Sequence, residues 1–101
     1  LKRFKEAKSL LRKVTPVARR VLGESNEITI KMRWTYALTL YKDPAATLDD
    51  LCEAVTTFED VVRIARRLLG GAHPLVLDIE SDLRAARAML RARETHSSAR
   101  P

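Results

Sequence analysis

The sequence predicts an all-α chain: four antiparallel helices forming about two helix-pair repeats, a fragment of a right-handed α-solenoid. Three observations carry this. Apolar residues recur at three- and four-residue steps over long stretches, the spacing that gathers them on one helix face. Only 3 glycines and 4 prolines interrupt the 101 residues, too few for the turns of an all-β domain. The chain also resembles itself at a fixed offset, with Ala18 falling on Ala65.

The first helix is expected over 1–22, where Phe4, Ala7, Leu11, Val14, Ala18 and Leu22 form an apolar stripe. Pro16 lies inside it and should kink or split it, because proline lacks the amide donor and crowds the preceding turn. Gly23 stops the helix. A second helix over 27–41 is capped by Ser25 or Asn26. Ile30, Trp34, Ala37, Leu38 and Tyr41 cover one side of it, and Met32, Tyr36 and Leu40 much of the other. A helix this apolar must be contacted from more than one direction. Its one continuous polar strip is Lys31, Thr35, Thr39 and Lys42.

A third helix over 48–69 is capped by Thr47, with Asp49 and Asp50 well placed in its first turn. Leu51, Ala54, Val55, Phe58, Val61, Val62, Ala65 and Leu69 form its apolar face. Gly70-Gly71 ends it, and Pro74 opens a fourth helix where a missing amide costs little. That helix is expected over 74–93, packing through Leu75, Ile79, Leu83, Ala86 and Leu90. Residues 1–94 form a single helical-repeat domain, and 95–101 read as a flexible tail.

The repeat is specific in its wording. Ala18-Arg19-Arg20-Val21-Leu22-Gly23 returns as Ala65-Arg66-Arg67-Leu68-Leu69-Gly70, while Phe4 falls on Leu51, Leu11 on Phe58 and Ile28 on Leu75. A helix-pair period of this length marks a helical repeat protein. The same offset carries Ala37 onto Arg84 and Leu40 onto Arg87. Burying such charges under a further helix is costly, so the fourth helix is expected to be a terminal cap with that face in water. Gly23 and Gly70, each ending a long helix, are expected in the left-handed region.

The slots Leu69-Gly70-Gly71-Ala72-His73-Pro74, and Leu22-Gly23-Glu24-Ser25-Asn26-Glu27 one repeat earlier, resemble the Leu-Gly and Asp-His-Pro-like connection of tetratricopeptide repeats of the kinesin-light-chain type. The Asn-Leu-Ala-like centre of that family falls on Thr35-Tyr36-Ala37 and on Asp82-Leu83-Arg84, departing from it at Thr35, Asp82 and Arg84. The resemblance spans residues 1 to about 94 and implies a scaffold that binds peptides or domains of other proteins. It further implies that the first helix of each family pair lines a concave groove. That groove falls on Lys31, Thr35, Thr39 and Lys42 and continues onto Asp78 and Asp82.

The net charge of +6 is unevenly spread, with eight bases against one acid in residues 1–22. Lys2, Lys5, Arg12, Lys13, Arg19 and Arg20 form a basic patch suited to an anionic partner, either nucleic acid or an acidic membrane surface. Nucleic acid is not favoured, because aromatics are 5% of the chain and only Phe4 interleaves the cluster, whereas base stacking needs aromatic platforms. No stretch is apolar enough to span a bilayer. The Arg84, Arg87 and Arg91 run reads as a solvated face.

Catalytic patterns are missing from the sequence. Cys52, the lone cysteine, has acidic neighbours Asp49 and Glu53 that disfavour a thiolate and is expected to pack at the border of the apolar face. A single thiol suits a reducing compartment, so an intracellular, cytoplasmic location is expected, and a start at Leu1 reads as a processed or excised piece. His73 is a cap residue and His96 lies in the tail, so no zinc pattern arises. Ser25, Ser81, Ser97 and Ser98 have no histidine at a suggestive position. The pairs Asp49/Asp50 and Asp78/Asp82 are surface neighbours, and Trp34 reads as core. The expectation is a non-enzymatic protein–protein interaction module without metal or cofactor. The alternatives are an anion-binding helical module and a structural subunit of a larger complex.

Overall fold

The computed structural model describes residues 3–98, which form four helices: α1 (Arg3–Leu22), α2 (Glu27–Lys42), α3 (Leu48–Leu69) and α4 (Pro74–Ser98). Each end has a local cause. The Asn26 side chain accepts the Ile28 amide at 2.8 Å and caps α2. Thr47 and Asp50 form a reciprocal capping box at the start of α3, satisfying two amides that a helix start leaves unpaired. His73 Nδ1 accepts the Leu75 amide at 3.1 Å. Gly23 and Gly70 have φ of 92° and 93°, the left-handed region expected where α1 and α3 stop.

Consecutive helices run antiparallel. Thr29 Oγ1–H donates to the Ala18 carbonyl, Arg33 reaches Asp60, and Arg87 reaches Glu59, which fixes the order of each pair. α2 is contacted by α1, α3 and α4, whereas the α1 backbone approaches only α2. Long side chains bridge from α1 to α3: Lys8 pairs with Asp50 at 3.6 Å and Arg12 with Glu53 at 3.4 Å. A closed bundle would set α1 against α4, and this chain instead forms an open stack of 47 × 30 × 20 Å.

The core lies along α3. Leu51, Ala54, Phe58, Val61 and Ala65 are fully covered, together with Ile30, Ala37 and Leu40 of α2 and Val76, Ile79 and Ala86 of α4. The Tyr41 and Phe58 rings meet edge-to-face at 5.7 Å. Arg84 and Arg87 are exposed, as a terminal cap requires.

Several expectations are corrected. Pro16 does not split α1, which runs as one helix from Arg3 to Leu22; the lost bond is the one the Arg12 carbonyl would have accepted. Only Ala18 of the expected α1 stripe is fully buried, and Leu22 is exposed. The fourth helix continues past 93 to Ser98, with Arg93 donating to the Ala46 carbonyl at 2.8 Å. Thr95–Ser98 is thus helical, and the rest of the expected tail falls outside the described residues. Cys52 is exposed: it borders the buried face of α3 without being covered.

Candidate functional site

The polar strip of α2 divides once its partners are traced. Lys31 and Lys42 are exposed, and Lys31 makes only a 4.0 Å contact with Glu27. Thr35 Oγ1–H donates to the Lys31 carbonyl at 2.8 Å, and the half-buried Thr39 donates to the Tyr36 carbonyl at 2.6 Å. Both hydroxyls are satisfied within their own helix. On α4, Asp78 is exposed. Asp82 instead accepts Trp34 Nε1–H at 2.7 Å and Tyr41 O–H at 3.2 Å, so it clamps α4 to α2. Burial, then the Asp82 charge and hydrogen bond, pushes the Tyr41 hydroxyl up to about 12. The strip keeps three solvent-facing charges: Lys31, Lys42 and Asp78.

The basic patch divides too. Arg12 donates to the Tyr36 hydroxyl through Nε at 3.1 Å and Nη2 at 2.9 Å and also meets Glu53, while Arg19 pairs with Glu24 at 2.7 Å. Lys5, Lys13 and Arg20 are exposed with no ion pair among the described residues. Lys2 lies outside the described residues.

Arg33 organises a network absent from the sequence-based expectations. It is 8% exposed and pairs with Glu24 at 3.3 Å and Asp60 at 2.7 Å, and Asp60 also meets Arg63. Burial pushes the Asp60 carboxyl up, but the hydrogen bonds and charges of Arg33 and Arg63 outweigh it and hold the group below its ordinary value. Nearby, Tyr36 donates to Glu53 at 2.6 Å, and burial with that hydrogen bond raises the phenol despite Arg12. Arg12, Arg19, Arg33, Tyr36 and Glu53 edge a 200 Å³ hollow among α1, α2 and α3, where the buried Thr15 hydroxyl has no hydrogen-bond partner among the described residues. The signal for Arg33 was its place on an otherwise apolar arc of α2. A long cation there needs partners for its charge, and those partners sit in the α1–α2 connection and in α3.

Arg12, Arg19 and Arg33 are matched by Glu24, Glu53 and Asp60, so the hollow has no surplus charge to draw an ionic substrate. No group of metal-ligating side chains occurs among the described residues. No described helix is long and apolar enough to cross a membrane.

Fold and surface therefore define an all-helical chain with exposed charge on α1 and along α2 and α4. Searches against family models, curated proteins and solved structures give no match.

Proposed function

We propose that this chain is a tetratricopeptide-like interaction module, a right-handed solenoid fragment that binds an extended peptide or protein segment along the exposed faces of α2 and α4. The observation that carries this reading is the set of exposed charges on neighbouring helices, Lys31 and Lys42 on α2 and Asp78 on α4. α1, α3 and α4 pack against other sides of α2. Basic and acidic points on one surface suit a peptide with opposite charges spaced along it. Asp82 and the two threonines act as structural members of that surface rather than as ligands. The test is affinity capture from extract with the parent chain, Lys31→Glu and Asp78→Lys. A partner retained by the parent and lost from both reversals, with unchanged melting temperatures, is the expected result.

A second reading, an anion-binding module, rests on the exposed Lys5, Lys13 and Arg20 of α1, which have no ion pair among the described residues. It requires binding that falls steeply with salt as counterions are released and that disappears when these bases are neutralised.

A further inference from the structure

We infer that the uncovered side of α1, with the adjoining edge of α2, is a docking ledge for an amphipathic helix of another protein that carries a carboxylate facing Lys13. Leu10, Val17 and Val21 are 60%, 45% and 71% exposed, and with Val14 they recur at helical spacing along one side of α1. They lie across that helix from Lys8 and Arg12, which reach α3, so they look away from the core. The antiparallel register set by the Thr29–Ala18 and Tyr36–Arg12 bonds brings Ile28, 57% exposed, level with Val21, and Met32 level with Val17. Contiguous apolar surface of this kind marks an interaction site.

The chain itself shows what fits such a ledge. The repeat offset carries Leu10, Val14, Val17 and Val21 onto Thr57, Val61, Ile64 and Leu68, and carries Ile28 and Met32 onto Leu75 and Ile79. That second ledge holds α2. Val61 and Ile79 are fully buried beneath it, Trp34 and Tyr41 grip Asp82, and Arg33 reaches Asp60. A 460 Å³ surface hollow against Thr56, Thr57 and Asp60 is lined on its other side by Arg33 of α2. Its repeat counterpart is a 420 Å³ hollow against Ser9, Leu10 and Lys13, and no described helix lies over it.

The offset also fixes the occupant's charge. Asp60, which receives Arg33, corresponds to Lys13, so a complementary helix carries an acid where α2 carries Arg33. Lys5 edges the same hollow, against one acid, Glu6. A second copy docked through this ledge would bring these bases together. A bilayer prefers the single apolar face of one surface helix, whereas this face is shared between two helices.

The ledge adjoins the proposed peptide surface along α2, and one probe with substitutions on each side separates the two readings. A labelled peptide of residues 27–42 carrying Arg33→Glu is titrated against the full chain by fluorescence anisotropy, beside the same peptide with Arg33 retained. The Glu peptide is expected to bind roughly tenfold tighter, since attraction replaces repulsion at Lys13. Lys13→Glu in the chain should reverse that preference, and Val17→Asp should abolish binding of both. Failure of either peptide to bind, equal affinities, or indifference to both substitutions overturns the proposal. Loss on Lys31→Glu without loss on Val17→Asp also overturns it and assigns the peptide to the α2/α4 surface. So does binding to phosphatidylserine vesicles, or self-association of the chain, that Val17→Asp abolishes while neither peptide binds.

Discussion

Asp82 carries two long-range hydrogen bonds on one carboxylate, from Trp34 and Tyr41, in the place where the family resemblance expected a ligand-binding position. Asp82→Ala leaves both donors without their partner, a loss of about 2 kcal/mol for bonds to a charged acceptor. Chemical denaturation should show it, with a change in emission of Trp34, the sole tryptophan. Tyr41 adds a pH dependence. Its folded value of about 12 lies above the ordinary 10.0, so the folded state keeps a proton that the unfolded chain releases. Its contribution is complete below pH 10 and is lost as pH rises toward 12. The denaturation midpoint should fall across that interval, and less steeply in Tyr41→Phe. Neither role was legible in sequence. Spacing puts Asp82 on a polar strip, but only the packing of α4 beside α2 turns it toward an indole.

Helix limits were far more legible, because caps, glycines and prolines act within a few residues of where they stand. Gly70 illustrates the strength of such local signals. At φ 93° with nothing near an added Cβ, a side chain there meets backbone strain rather than a clash. Gly70→Val should therefore cost more than about 1 kcal/mol, read as a lowered melting temperature. Gly71→Ala, whose Cβ would make an ordinary 3.8 Å contact, should melt with the parent. The face of α3 was also plain, since a wide apolar arc leaves one way to turn. On α1 the apolar arc is wider than the surface that covers it, and periodicity cannot say which half faces the core. Leu22 shares the face of the buried Ala18 but is exposed as the last residue of α1, and Thr15, which is buried, was missed. Cys52 failed for a related reason, since residues at the edge of a stripe follow the neighbouring helix rather than the pattern.

Across the molecule, the self-similarity at the repeat offset was visible in the sequence, and so was the contrast between its ends. α2 turns Trp34, Ala37 and Tyr41 toward its neighbours, where α4 has Ser81, Arg84 and Ala88. One end of the stack therefore presents charge and small residues, and the other presents the apolar ledge. The open stacking itself depends on α1 having no contact with α4, a long-range fact that no local signal encodes.

The α1 backbone packs on α2 alone, with only the Lys8–Asp50 and Arg12–Glu53 pairs reaching α3, and this governs how the molecule comes apart. Contacts made mostly between sequence neighbours give weakly coupled units, each able to open at its own free energy. α1 can therefore be shed while α2, α3 and α4 keep their shared core. Trp34 is held by α4 rather than α1, so its emission is blind to that first event. On heating, far-UV helical signal should decline at a lower temperature than Trp34 fluorescence, and amide exchange should be fastest in α1 and slowest in α3. Coincident transitions would mean a single cooperative unit. With α1 loose, the chain melts from one end, like a zip that opens from one side.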